Sequence, residues 1–324
     1  MKAIDIVNQF KNKKILVVGD IMLDKYIWGE VNRISPEAPV QIVNVTRESH
    51  NPGGAANVAA NITEYGAEAH LIGIVGEDST KENLMHELDK RNINTTGIVA
   101  DQEKRTILKV RVFGRNQQLL RFDYEKKGYA SHDTEDKILE ALKSKIEDMD
   151  AVVVSDYAKG VITKRIMLEL IAQCHKEGKS IIIDPKPEHK EYYSNATLIT
   201  PNHNEAHQMT HFTEKQNVTE DVEDMGRWLV NDLKSSILIT RGEKGMSLFE
   251  KNGNIKHIPT FAKEVFDIIG AGDTVVATVA LALASGASIE QAAVIANHAA
   301  GVTVGKIGTS TVSLEELKRR VQHA

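Results

Sequence analysis

The chain has 324 residues, with 40 Lys and Arg against 45 Asp and Glu and a formal net charge of −5. Its hydrophobic share of 41% and charged share of 26% are those of a globular chain and exclude disorder, collagen and coiled coil. The slightly acidic balance excludes a surface built to coat nucleic acid, and the single cysteine, Cys174, excludes an internal disulfide or a Cys-rich zinc site.

The N-terminus is charged on both sides of a short apolar patch and lacks the apolar core of a signal peptide. Lys14–Gly19 reads as a buried strand that ends in Gly19-Asp20, with Asp24 four residues on. Val40–Val45 reads as a strand outside the main rhythm. Pro52-Gly53-Gly54 opens a helix over Gly54–Tyr65. Small residues there let a ligand approach the backbone and Asn57 offers a donor and an acceptor, although tight helix–sheet packing favours the same residues. Strand Ala69–Val75 and helix Thr80–Arg91 follow.

Thr106–Phe113 and Gln117–Tyr124 read as a hairpin around Gly114-Arg115-Asn116. Period-two alternation places Leu108, Val110 and Val112 on one face and Ile107, Lys109, Arg111 and Phe113 on the other. A small sheet standing off the body could aim both cations at one side. On pattern alone the default is a solvated edge strand guarded by Lys and Arg.

Helix Thr134–Ile146, strand Ala151–Ser155, helix Thr163–Lys176 and strand Ser180–Asp184 continue the alternation, with Cys174 as a small buried hydrophobe. Strand Leu198–Thr200 runs into Pro201-Asn202-His203-Asn204-Glu205. His203, His207 and His211 fall at i, i+4 and i+8, a spacing that can bind metal. With no H-E-x-x-H pattern and no cysteine partner they read as an ordinary helix surface. Helix Val218–Leu233, strand Ile237–Thr240, helix Gly272–Ala284 and helix Ile289–Val304 complete the chain. The longest apolar stretch, Val275–Ala284, falls far short of the about 20 residues of a membrane span, so a soluble, cytoplasmic protein with no membrane partner is expected.

Apolar strands alternating with helices imply an α/β fold around a mainly parallel sheet covered on both faces, and ligands then bind beyond the carboxyl ends of the strands. Five such ends carry polar groups: Asp20, Asp156, Asp184-Pro185-Lys186, Asn202 to Glu205, and Arg241 to Gly245. Each alone reads as a turn or cap, but one rim would gather them all. Asp267-Ile268-Ile269-Gly270-Ala271-Gly272-Asp273-Thr274 adds two glycines at a helix start, where free amides and the dipole favour an anion. Asp273 is then either an acid complementing the dipole, worth about 0.3–1 kcal/mol, or a base beside a bound phosphate. A dinucleotide fingerprint fails at Val275 and a P-loop fails at Gln173.

Gly53-Gly54-Ala55-Ala56-Asn57 with Gly66 and Gly76, Asp267-x-x-Gly270-Ala271-Gly272-Asp273, and Asn202-x-x-Glu205 resemble the signatures of the ribokinase-like (PfkB) carbohydrate kinases, in order and spacing over nearly all of the chain. A narrower resemblance is to the heptose-7-phosphate kinase branch. Arg33 to Val40, Arg115-Asn116-Gln117-Gln118, Ser155 to Gly160, Asp184-Pro185-Lys186 and Val304 to Val312 carry it. Ile268, Ile269 and Thr278 depart from the usual pattern.

The resemblance implies a single ribokinase-like domain over 1–324: a three-layer sandwich with a small β-sheet lid from about 26–45 and 106–124, whose pairing forms a homodimer. It implies ATP and Mg²⁺ as cofactors, a monovalent cation such as K⁺ as a further expectation, and no nucleic-acid partner. The expected reaction moves the γ-phosphoryl group of ATP to the anomeric hydroxyl of D-glycero-β-D-manno-heptose 7-phosphate. Amides of Gly270, Ala271 and Gly272 would form the anion hole and Asp273 would be the base. Asn202 and Glu205 would organise Mg²⁺ through water. Thr240, Gly242, Gly245 and Asn297 would hold the nucleotide. Asp20, Asp24, Gly53, Gly54 and Asn57 would bind the sugar, and Lys109, Arg111, Arg115 and Lys186 its phosphate. Many relatives carry a nucleotidyltransferase behind the kinase. This chain stops at Ala324, so that activity is expected to be absent, whether the chain is a stand-alone kinase or an excised domain. The rival readings are a fructokinase- or ribokinase-like enzyme and a non-catalytic sensor on the same fold.

Overall fold

β-Branched apolar runs with no polar break form strands that can be covered on both faces. A computed structural model describes residues 1–115, 117–212, 218–262, 268–306 and 311–322. Helix α1 (Ala3–Asn8) precedes β1 (Lys14–Gly19), and β2 (Ile21–Ile34) with β3 (Gln41–Gly54) forms a long hairpin. Next come α2 (Ala55–Glu64), β4 (Glu68–Val75), α3 (Ser79–Asp89), β5 (Asn94–Ala100), β6 (Ile107–Gly114) and β7 (Gln117–Tyr124). The middle of the chain holds α4 (His132–Lys145), β8 (Ala151–Ser155), α5 (Lys164–Lys176), β9 (Ser180–Asp184), β10 (Leu198–Ile199) and α6 (His203–Thr210). The last stretch holds α7 (Val218–Leu233), β11 (Ser236–Thr240), β12 (Met246–Phe249), β13 (Ile255–Ile258), α8 (Ala271–Ala284), α9 (Ile289–Thr303) and α10 (Leu314–Val321).

Nine strands form one sheet in the order β13-β12-β11-β10-β9-β8-β1-β4-β5, parallel from β11 to β5, with β12 and β13 antiparallel at one edge. Alternation sorts its side chains into two cores. Ile15, Val17, Ala151 and Val153 face α1, α2, α8, α9 and α10, while Leu16, Val18, Val152 and Val154 face α4, α5 and α7. The result is the three-layer arrangement expected of such strands. Thr163, Ser131, Ser288 and Ser313 cap α5, α4, α9 and α10 with their hydroxyls, each cap worth about 1 kcal/mol.

The second sheet has the order β3-β2-β6-β7. The solvated-edge reading of Thr106–Phe113 does not hold: β6 pairs in parallel with β2 and antiparallel with β7, so β3 and β7 form the edges. The strand expected at Val40–Val45 extends to Gly54, because Pro52 and Gly53 continue the pairing with Leu23 and Met22. The expected division of faces does hold. Asp24 and Tyr26 of β2 stand opposite Lys109 and Arg111 of β6, and the rings of Tyr26, Trp28 and Phe113 stack on that face.

Candidate functional site

Because β8 to β11 run in parallel, their carboxyl ends meet at one rim, and the N-terminus of α8 closes it. Asp184, Lys186, Thr200, Asn202, Thr240 and Asp273 line a cleft there of about 220 Å³. Gly270 sits at the N-cap of α8 with φ 79°, a left-handed turn that glycine adopts at no steric cost. A Cβ added at Gly272 would meet nothing within 4 Å, so the wall beside these amides is open.

Asp273, in the first turn of α8, is 6% exposed. Its Oδ2 accepts from Asn57 Nδ2 at 2.6 Å and its Oδ1 from the Tyr157 hydroxyl at 3.0 Å. Burial pushes its carboxyl up to about 6, against the two hydrogen bonds that favour the charged form. Burial, and then Asp273 itself, hold the Tyr157 phenol well above its usual range, so it stays a donor. Tyr157 has no role in the sequence reading; the signal that could have found it is its place two residues beyond a parallel strand end.

Asp20 is fully buried, and its oxygens accept the amides of Tyr157, Lys159 and Val161 at 2.9, 3.0 and 3.1 Å. It therefore holds the loop after β8 that carries Tyr157. Asp156 holds the same loop, accepting from Ala158 N, His189 Nδ1 and the Tyr193 hydroxyl within 2.7 Å. Asp24 is paired with Arg111, Nη1 to Oδ1 at 2.6 Å, with both side chains nearly buried. A Cβ at Gly53 would stand 2.8 Å from Asp24 Oδ2, and Gly54, with φ 57°, makes the turn into α2.

The four expected phosphate-binding cations differ in what engages them. Arg111 is engaged by Asp24, and Lys186 Nζ lies 3.2 Å from Glu205 Oε1. Arg115 is exposed in the β6–β7 turn with φ 55°. Lys109 has no ion-pair partner among the described residues. Its ammonium stands 5.4 Å from the centroid of the Tyr157 ring, and burial draws its pKa below the ordinary value.

On the other flank, Asn202 caps α6 and forms a reciprocal pair with Glu205: Oδ1 accepts Glu205 N at 2.9 Å and Glu205 Oε2 accepts Asn202 N at 3.0 Å. Glu205 Oε1 remains toward Lys186. The Asp184 carboxylate has no hydrogen-bond partner among the described residues, while the backbone carbonyl of Asp184 accepts from Asp156 N at 3.1 Å. Burial, followed by Asp273 and Glu205, holds its carboxyl well above the usual range. A partnerless carboxylate among acids fits an oxygen-seeking divalent cation, so Asp184 and Glu205 are the residues that could hold Mg²⁺. Thr240 stands at the end of β11, and Gly242 and Gly245 flank the turn that follows, both at positive φ. Asn297 is buried on α9 and donates to Pro259 O at 2.6 Å. Thr278 finds partners in Thr274 O and the Tyr65 hydroxyl, and Ile268 is exposed, so these two departures leave the cleft intact. Asp267, Asn116 and residues 307–310 of the quoted motifs lie outside the described residues.

Residues 12–317 match the pfkB family carbohydrate kinases. Bifunctional protein HldE of Geobacter sulfurreducens is 43% identical over 93% of this chain. The protein of the same name from Haemophilus influenzae is 43% identical over 97%. The chain spans 61% and 64% of the lengths of these two relatives. Among solved structures, phosphofructokinase-2 of Escherichia coli matches with a TM-score of 0.79 over 96% of this chain and 98% of that one, at 21% identity. Ribokinase of Arabidopsis thaliana matches at 0.75 over 96% and 99%, at 19% identity. Likeness at that identity concerns the fold alone, which is ribokinase-like. The sequence match runs through every element that builds the rim, from β1 to α8 and beyond, and on that ground the chain belongs to the pfkB family of carbohydrate kinases.

Proposed function

We infer that the chain transfers the γ-phosphoryl group of ATP to the anomeric hydroxyl of D-glycero-β-D-manno-heptose 7-phosphate, giving the 1,7-bisphosphate used for ADP-heptose and the lipopolysaccharide core. The observation that carries this reading is Asp273 at the open glycine wall of α8, with Lys109 of the second sheet, which has no ion pair among the described residues, over the ring of its neighbour Tyr157. The HldE relatives support the choice of sugar.

Phosphoryl transfer needs positioning and charge more than covalent help from the protein. The amides of Gly270, Ala271 and Gly272 would receive the oxygens of the moving group, a contribution of about 2.7–4 kcal/mol per donor. Asp273 would take the proton from the anomeric oxygen, held in place by Asn57 and Tyr157. Mg²⁺ bound by Asp184 and by Glu205 through water would neutralise the phosphates. Thr240, Gly242 and Gly245 would run along the triphosphate and Asn297 beside the base or ribose. Gly53, Gly54, Asn57 and Asp24 would border the sugar, and Lys109 would meet its 7-phosphate. Asp20 serves this pocket through the loop it holds. The E. coli phosphofructokinase-2 structure is a potassium complex, and K⁺ belongs to this proposal on that resemblance alone.

We place the kinase in one domain whose four-stranded sheet is the lid. Leu120, Phe122 and Tyr124 of β7 and Val45 of β3 are exposed, which supports a homodimer formed by two lids. A transfer assay with ATP and Mg²⁺ against seven-, six- and five-carbon sugars, each with and without a terminal phosphate, tests the substrate. Preference for heptose 7-phosphate is expected. Preference for an unphosphorylated hexose or pentose overturns it in favour of a fructokinase- or ribokinase-like activity.

A further inference from the structure

His203 and His207 do not form the ordinary helix surface that their spacing suggests. One turn apart on α6, they face α7 and converge on Asp221, which is 2% exposed. One ligand atom from each of the three lies within 4.8 Å of the others. His211 takes no part, being the left-handed C-cap of α6. His207 Nε2 approaches Asp221 Oδ2 to 2.6 Å without hydrogen-bond alignment, and Asp221 Oδ1 and His207 Nδ1 are buried with no hydrogen-bond partner among the described residues. A buried carboxylate oxygen left without a donor is costly, and nitrogen and oxygen donors gathered this closely are what a cation would use.

We propose that His203, His207 and Asp221 bind one borderline divalent cation, such as Zn²⁺, with water in the fourth position. Two imidazoles and a carboxylate suit Zn²⁺, Co²⁺ or Ni²⁺, whereas Mg²⁺ and Ca²⁺ prefer oxygen alone. Bonds of about 2.0–2.2 Å around a tetrahedral ion set donor atoms roughly 3.3 Å apart, so the widest pair need close by only about 1.5 Å. At 100° per residue Glu205 lies on the opposite face of α6 from both histidines, so this ion would be separate from one in the kinase cleft. It would clamp α6, and with it the Asn202–Glu205 pair, to α7.

The test is calorimetric titration of the metal-stripped protein with Zn²⁺, without nucleotide, and visible spectroscopy with Co²⁺. One equivalent of Zn²⁺ and the intense bands of four-coordinate cobalt are expected. His207→Gln and Asp221→Asn should each weaken binding by at least about 10–100-fold, the loss that even outer-shell changes produce. Asp184→Asn and Glu205→Gln should leave the equivalent in place. No binding, binding that survives both ligand variants, or binding that disappears with Glu205→Gln overturns the proposal. If a ligand variant fails to fold, the cobalt spectrum of the unaltered protein decides, and a pale octahedral spectrum sinks the site.

Discussion

The two sheets bring charge to the same cleft by different means. In the nine-stranded sheet the acids stand just past strand ends, and backbone amides hold several of them: three for Asp20, one for Asp156, and the Asn202–Glu205 pair at the start of α6. In the four-stranded sheet Asp24, Lys109 and Arg111 lie within strands, and the side chains of Asp24 and Arg111 hold one another. Geometry in the first region is thus tied to the fold itself. In the second it depends on pairs that a single substitution can break.

The largest effect is expected where the body presents a side chain to substrate. Asp273→Asn keeps the shape and both neighbours but removes the base, so turnover should fall by at least about 10²–10⁴-fold. Calorimetry should show ATP still bound. Normal turnover would remove Asp273 from the mechanism.

Next is the pair inside the lid. Arg111→Ala leaves Asp24 charged in a nearly buried place, a change that typically costs about 3–5 kcal/mol. Denaturant unfolding should register it, and replacing both partners by apolar residues should recover most of the loss. Lys109→Ala tests the contrast within one strand. With no ion pair to break among the described residues, it should leave unfolding nearly unchanged while raising the sugar-phosphate KM about 10–100-fold, the worth of one charge-assisted hydrogen bond. The KM for ATP should hold steady. An unchanged sugar-phosphate KM would mean that the substrate carries no phosphate near the lid.

The same contrast explains what could be read from the sequence. Lys14–Gly19, Ala151–Ser155 and Ser180–Asp184 were legible to the residue because strands buried on both faces admit little but aliphatic side chains. β2 and β3 were legible only in part: a sheet polar on its cleft side has no such run, and Pro52-Gly53 imitates a turn. Asp273 stood out because two glycines at a helix start have a specific use. Tyr157 and Asp184, though within quoted motifs, drew no role, since a polar residue at a strand end serves turns equally well. Asp20 and Arg111 were given to the substrate, and their pairings within the protein could not be read, because those partners lie 137 and 87 residues away. The same holds for His203 and His207, whose third companion comes from the next helix.

The smallest effect expected is on acidity, and it separates the two regions most finely. With its carboxyl raised to about 6, Asp273 is protonated and inactive below that pH and charged above it, so kcat/KM should climb through an acid limb near 6. Tyr157→Phe removes a donor that favours the charged form, which must move the limb to higher pH, by about half to one unit for a hydrogen bond of about 1 kcal/mol. Lys109 favours the same charged form from a distance, so Lys109→Ala should move the limb the same way. Salt distinguishes the two causes. A short bond inside a buried site is nearly indifferent to ionic strength, whereas a charge acting across the cleft is screened within about 8–10 Å at ordinary salt. Asp24 acts on the same carboxyl with the larger and opposite effect, so added salt should shrink the gap between the unaltered protein and Lys109→Ala, while the gap to Tyr157→Phe stays open. A Tyr157→Phe gap that closes with salt would show that Asp273 is held by the field of the lid rather than by its neighbours in the body.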